Sequence, residues 1–325
     1  MQWWCSAQGI AWTWSWRPYA GVWLMVLVLA IWYWRSYTRA AREWDGVHPR
    51  LRTPRVVASI AGIALLWIAL DWPIGTLGAG YLASVHMVQF FLIAMIAPAL
   101  LVFGWPPAAP APEGRRAARR KPDTSIVDVS AAAASGDTSA VDASRLAPRY
   151  TARTGPLHSL VNALTHPVVA VIIFDVVVVA THAPPVVDSL MASQAGSFLL
   201  DMTWLFAGIV FWWPLIGGPF GRPPLRTPLN IAYIFASSLS HTGVSMYLLL
   251  ARFPVYSTYE LAPPISGITK LTDQDLAGGL MLLGGAAIVL GAISVVFFRW
   301  QAEMERDEVI ESREQRAESS ELPRG

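Results

Sequence analysis

Cysteine, lysine and charge are all scarce in this chain, and each shortage closes off a class of chemistry. The single cysteine, Cys5, rules out an intrachain disulfide and any thiolate cluster within one chain. No apolar run precedes it, so a lipid anchor is not indicated and Cys5 reads as incidental. Lysine occurs only at Lys121 and Lys270, both outside the apolar runs, which excludes a retinal Schiff base. No P-loop, dinucleotide fingerprint, G-x-S-x-G or H-E-x-x-H motif occurs. Charged residues are 14% of the chain and the formal net charge is +2, so no nucleic-acid partner is indicated.

What fills the chain instead is apolar. Hydrophobic residues make up 54% of it, tryptophan occurs 16 times, and the mean hydropathy is +0.43. Such values belong to a multi-spanning membrane protein rather than a soluble domain. Windows of about 20 apolar residues predict an all-α, polytopic membrane bundle of about seven transmembrane helices, near 18–36, 55–72, 81–103, 167–183, 198–216, 229–250 and 275–298. Those at 55–72 and 167–183 are the shortest. The Gly pairs 217–218, 278–279 and 284–285 read as helix-packing sites.

Arginine placement orients the bundle. Twenty-one of the 24 Lys and Arg residues fall in alternate loops, and only Arg17, Arg252 and Lys270 fall on the other side. The positive-inside rule then predicts the N-terminus outside and the C-terminus in the cytoplasm. The odd span count agrees. The amino-terminal segment has no basic n-region and no small-residue cleavage site, so 18–36 is expected to be a retained span. The chain divides into a Trp-rich outer segment 1–17, spans one to three over 18–106, a linker 107–154, spans four to seven over 155–300, and a charged tail 301–325. The linker, rich in Ala, Ser, Asp and Thr with a basic run from Arg115 to Lys121, cannot bury a core and is expected to be disordered and cytoplasmic. The tail alternates acid and base and is expected to continue as a solvated helix. Pro98 is expected to kink span three.

Polar groups inside these spans are costly and mark function or helix contact. At about 1.5 Å per residue, His86 lies roughly 8 Å from the outer end of its span and His241 roughly 14 Å. His182 ends span four and Asp201 opens span five at the same outer level. His86 and Gln89 share a helix face, as do Asp175 and His182. Ser237, Ser238, His241 and Ser245 form a polar stripe on span six. Met87, Met202 and Met246 lie near this layer, and imidazole with thioether donors suits copper, particularly Cu(I). Asp71, Asp273 and Asp275 read as solvated helix ends or caps. The bland alternative is that each histidine is hydrogen-bonded between helices. Two other functions fit as well: a haem b redox protein with paired histidines, and a proton-coupled transporter or channel using Asp175 and His241.

Several stretches resemble one family. His86-Met87-Val88-Gln89, then Ala97-Pro98-Ala99-Leu100-Leu101 and Gly104-Trp105-Pro106, are similar to span three of the CtaG family, the multi-spanning caa(3)-type cytochrome c oxidase assembly factors. Thr165-His166-Pro167, Thr181-His182-Ala183-Pro184, Phe211-Trp212-Trp213-Pro214 and Asp273-Gln274-Asp275-Leu276-Ala277-Gly278 extend the resemblance across most of 55–300. It implies a seven-span, non-enzymatic protein of the bacterial plasma membrane that works with cytochrome c oxidase subunits and plausibly delivers or inserts copper. The expected transient metal site draws on His86, His182, His241, Met87 and Asp201. Two departures stand out. The family often carries a second histidine four residues after the first, where this chain has Phe90, and the linker 107–154 is longer than usual.

Overall fold

The apolar stretch that contains His86 becomes the most enclosed part of the bundle. In the computed structural model its spanning window, Ala83–Gly104, is 67% buried, against 11% for Ala20–Ala40 at the periphery. Residues 2–43, 49–106, 155–217, 227–265 and 267–321 are described. The linker 107–154, with its basic run, and residues 322–325 lie outside them. No strand occurs among the described residues.

In chain order the helices are α1 (Ala20–Glu43), α2 (Pro49–Leu70), α3 (Ile74–Gly80), α4 (Ala83–Phe90), a π-helical segment (Phe91–Ile96), α5 (Ala97–Gly104), α6 (Pro156–Leu164), α7 (Pro167–Thr181), α8 (Pro184–Met191), α9 (Gln194–Ile216), α10 (Thr227–Leu250), α11 (Ser257–Glu260) and α12 (Lys270–Glu321). Among the described residues, five helices are long and apolar enough to cross a membrane: Ala20–Ala40, Thr53–Leu70, Ala83–Gly104, Gln194–Ile216 and Lys270–Val309. Counting α7 and α8, bent by 75°, as one span makes six.

This falls short of the seven expected spans for two local reasons. At about 1.5 Å per residue the 15 residues of α7 cover only about 22 Å, less than a bilayer core of about 30 Å, before Pro184 and Pro185 turn the chain. Helix α10 has the length, at 24 residues, but its serines, threonines and His241 dilute its apolar character. The charged tail does continue as helix, because α12 runs on unbroken to Glu321 with exposed residues from Gln301 to Val309.

Proline at position 98 does not produce a simple kink. It sits in the first turn of α5, and the turn before it, Phe91–Ile96, widens into a π-helix. A proline lacks an N–H and its ring collides with the carbonyl four residues earlier, here that of Ala94, and one extra residue in the turn moves that carbonyl aside. The Ala94 carbonyl then lies against Gly208 of α9, where a Cβ would come within 2.1 Å of it. Gly284 of α12 similarly admits the Phe91 ring, and Gly278 admits Leu249, so one glycine of each pair is a close packing site, whereas Gly279 meets nothing within 4 Å; Gly218 of the pair 217–218 lies outside the described residues.

One end of the bundle gathers the start of the chain with the ends of α2, α7 and α10 and the starts of α4, α9 and α12. We call it the near end. Trp4 and Cys5 are fully buried there, and the Ala7 N–H donates to the Met191 carbonyl at 3.1 Å. Burial, reinforced by the charge of Asp201, pushes the Cys5 thiol well above its usual range, so it stays protonated and unreactive. At the opposite end the hydroxyls of Tyr37 and Ser59 donate to the Gly104 carbonyl, and the Arg55 guanidinium donates to the carbonyls of Phe103 and Trp105.

Candidate functional site

His86 stands one turn into α4, and the start of that helix is held by a residue from far along the chain. Leu82, at the cap position, has no side-chain acceptor. Asp273 of α12 supplies it: one carboxylate oxygen accepts from the Ala83 N–H at 2.6 Å, the other from the N–H and hydroxyl of Ser84. Such a cap satisfies backbone donors that lipid cannot. Of the expected solvated helix end or cap, the cap is what Asp273 provides, and the solvation is corrected, since it is 2% exposed. Asp71 is corrected likewise. It is buried and accepts from the Tyr19 N–H and from the indoles of Trp23 and Trp67. Asp275 is exposed, as expected.

The three histidines converge on two rings. Phe90 lies 5.0 Å from the His182 ring and 5.7 Å from His241, while Trp204 lies 4.9 Å from His86 and 5.8 Å from His182. Phe90 and Trp204 also touch each other, edge to face at 5.1 Å. All three imidazoles are nearly fully buried. The Nδ1–H of His182 donates to the Val178 carbonyl at 2.7 Å, and that of His241 to the Ser237 carbonyl at 2.9 Å. A carbonyl only accepts, so each Nδ1 carries the proton, and in the neutral imidazole each Nε2 then keeps its lone pair. Neither Nε2 has a hydrogen-bond partner, nor does either nitrogen of His86 or the Oε1 of Gln89 one turn away. Buried polar atoms left bare in this way are uncommon and call for a reason.

The remaining expected residues are placed less centrally. Met87 is fully buried in the core that surrounds the histidines. Asp201 turns toward the start of the chain and accepts from the Trp4 indole at 2.8 Å. Asp175 is half-buried and accepts from the Ser240 hydroxyl at 2.7 Å. Met246 is exposed on the outer side of α10, away from the histidines, whereas Ser237, His241 and Ser245 face inward. Among the described residues, no three His, Cys, Asp or Glu side chains stand close enough together to hold a metal ion. The donors fit a soft cation in kind, as neutral imidazoles with free lone pairs.

Sequence reasoning missed the aromatic and roofing residues. Trp204 carries an inward position of α9 three residues after Asp201, and its indole N–H is fixed by the Thr181 hydroxyl at 2.8 Å. Above His86 lies α11, whose first N–H groups, those of Ser257 and Thr258, donate to Asp188. The Tyr259 hydroxyl donates to the Gly78 carbonyl at 2.6 Å with its ring 5.9 Å from His86, and the Tyr256 hydroxyl donates to the His182 carbonyl at 2.9 Å. Burial raises both phenols above their ordinary range, which favours the protonated, donating form. A recess of about 310 Å³ opens beside this roof, edged by Ala7, Gly80, Asp188, Ser257 and Thr258. Tyr259→Phe leaves the Gly78 carbonyl unsatisfied and is expected to cost about 1–2 kcal/mol, read as a lower midpoint of thermal unfolding in detergent.

Comparison with known proteins settles the lineage. A match to the cytochrome c oxidase caa3 assembly factor family (Caa3_CtaG) runs over residues 31–303. The chain belongs to that family. The matched stretch of this Caa3_CtaG protein includes His86, His182, His241, Trp204 and Asp273, and it stops short of Trp4 and the end of the tail. Similar relatives include uncharacterized proteins of Mycobacterium bovis and Mycobacterium tuberculosis, each 25% identical over 264 residues, covering 81% of this chain and 36% of theirs. An uncharacterized protein of Mycobacterium leprae is 23% identical over 300 residues, covering 92% of this chain and 41% of its own. The chain thus spans well under half the length of these relatives. No solved structure matches it.

Proposed function

We propose that this protein is an assembly factor for haem–copper cytochrome c oxidase in the bacterial plasma membrane, working with oxidase subunits and handling copper as transient cargo. Family membership supports the assembly role. The copper role rests on the bare imidazole nitrogens of His86, His182 and His241, buried together around Phe90 and Trp204. In this reading the α7–α8 pair and α10 join the five apolar helices to make seven spans, with the near end and the amino terminus facing outward. Copper would then be received on the outer side, through the recess beside α11.

The ligands divide unevenly. His182 and His241 offer fixed Nε2 lone pairs, because their Nδ1 protons are committed to carbonyls of their own helices. His86 makes no such bond to its own helix and is packed between Trp204 and Tyr259. Met87 adds a thioether on the same helix. Asp201 takes no direct part while the Trp4 indole holds it. A two-donor site releases its ion readily, as a protein that passes copper on requires.

Deleting the gene tests the assembly role. Membranes of the deletion strain are expected to lose most terminal oxidase activity while other respiratory complexes keep theirs. Unchanged oxidase activity would remove the reading.

A further inference from the structure

We propose that the outward flank shared by α7 and α10 is a docking surface for a transmembrane helix of an oxidase subunit, one that carries a hydrogen-bond donor at mid-membrane depth opposite Asp175. The inference rests on the assembly role above, with α7 and α10 as spans, and adds where the client is held.

Asp175 stands near the middle of α7, and Ser240, whose hydroxyl donates to it at 2.7 Å, stands near the middle of α10. One carboxyl oxygen accepts that bond, and the other accepts none among the described residues. The side chain is half-buried rather than enclosed. Around it the surface is apolar, since Ile172, Val176 and Val179 of α7 and Phe235 and Leu239 of α10 are all exposed. A carboxyl at this depth ordinarily faces a bundle interior or an aqueous cavity and is paired there. The outer half of Asp175 has no such surroundings, and hydrocarbon offers it no donor.

Shape points the same way. On α10, Ala236 lies one turn before Ser240 and Gly243 one turn after it, so both fall on the Asp175 side of the helix. A Cβ on Gly243 would meet nothing within 4 Å, so this flank is open. Small residues let a second helix approach closely, and a polar side chain beside them holds it through a hydrogen bond between the helices. Lipid is a poor cover here. Helix α7 covers about 22 Å of a bilayer core of about 30 Å, and a span that short is relieved by association with another helix.

The missing donor chooses the occupant. A second copy related by a two-fold axis, the commonest symmetry of a homodimer, would set carboxyl against carboxyl on this flank. It would bring no uncommitted hydroxyl, because Ser238 and Thr242 donate to the Phe235 and Ser238 carbonyls of their own helix. A different chain with a hydroxyl, amide or basic side chain at that depth completes the pair. For an assembly factor, that chain is the client subunit.

The test is photo-crosslinking of the full-length protein in cells that make it together with its terminal oxidase. A benzophenone amino acid replaces Val179, one turn beyond Asp175 on the same flank, or Leu283 on the exposed face of α12 as the control, and the adducts are identified by mass spectrometry. The probe at 179 is expected to capture an oxidase subunit, and the probe at 283 is not. Per molecule of this protein in the membrane, Asp175→Val is expected to lower the yield of that adduct about 5- to 10-fold, while Asp175→Asn, which still accepts a hydrogen bond, keeps most of it. Gly243→Leu fills the flank without touching the carboxyl and is expected to lower the yield as much, so the test stands even where Asp175→Val inserts poorly. Adducts joining two copies of this chain, an equal oxidase adduct from 283, or an oxidase adduct unchanged by both Asp175→Val and Gly243→Leu would overturn the proposal. No oxidase adduct from 179, where gene deletion does abolish oxidase activity, would overturn this inference alone. Oxidase activity unchanged by deletion would overturn the assembly role and this inference with it.

Discussion

Asp273→Ala is expected to be among the most damaging single substitutions in the chain, costing on the order of 3–6 kcal/mol. Three donors lose their acceptor at once: the N–H groups of Ala83 and Ser84 and the Ser84 hydroxyl. All three are buried at a helix start where neither water nor lipid replaces the lost partner. Each buried donor left unpaired costs about 1–3 kcal/mol. The damage also reaches the site, because His86 stands two residues beyond Ser84 and α4 would lose its attachment to α12. Asp273→Asn keeps one side-chain oxygen to accept and is expected to lose about half as much. Thermal unfolding in detergent measures the difference. Equal stability of Asp273→Ala and wild type would mean that the cap does not hold α4.

Gly208→Leu is expected to prevent the bundle from closing. Even the alanine Cβ would sit 2.1 Å from the Ala94 carbonyl oxygen and 2.6 Å from Pro98 Cγ, on backbone and ring atoms that cannot swing aside. Overpacking of this kind typically costs about 1–3 kcal/mol, and contact with rigid atoms puts Gly208→Ala at the upper end. Leucine adds three more carbons at the same seam and should leave little folded protein in the membrane. The consequence extends beyond stability. The π-helical turn at Phe91–Ile96 aims Phe90 and Phe91 at the histidines, and α9 brings Trp204 to them. Separating α9 from the π-helical turn would pull the cluster apart. The check is the yield of monodisperse protein after extraction, with Gly243→Ala, where a Cβ meets nothing within 4 Å, as the tolerated control.

The long apolar segments were legible because a window of about 20 residues averages over local detail. The count was less so, because α7 is short and α10 is diluted by the same serines and histidine that make it interesting. The three histidines, expected in one layer from their distances to the span ends, are arranged around Phe90 and Trp204. What surrounds them could not be read. Asp71 and Asp273 look like solvated helix ends in one dimension, and the indoles and N–H groups that bury them come from segments 48 and 190 residues away. Phase explains another miss. Ser245 lies four residues after His241 and faces inward with it, whereas Met246, one residue further, is turned about 140° from His241 around the helix and faces outward. Asp201 was expected to open its span, but α9 begins at Gln194, and the partner of Asp201 is Trp4, in a segment with no periodic signal at all. Phe90, at the position where the family often has a second histidine, packs against both His182 and His241.

The central claim is that this family member serves its oxidase through the near-end histidines. The most direct measurement is the copper-to-haem ratio of terminal oxidase purified from a deletion strain complemented with wild-type protein, with His86→Ala or with His182→Ala, each produced at equal level in the membrane. The account predicts that haem is retained while copper falls in both variants to the level of the uncomplemented strain. A wild-type ratio in both variants would contradict it.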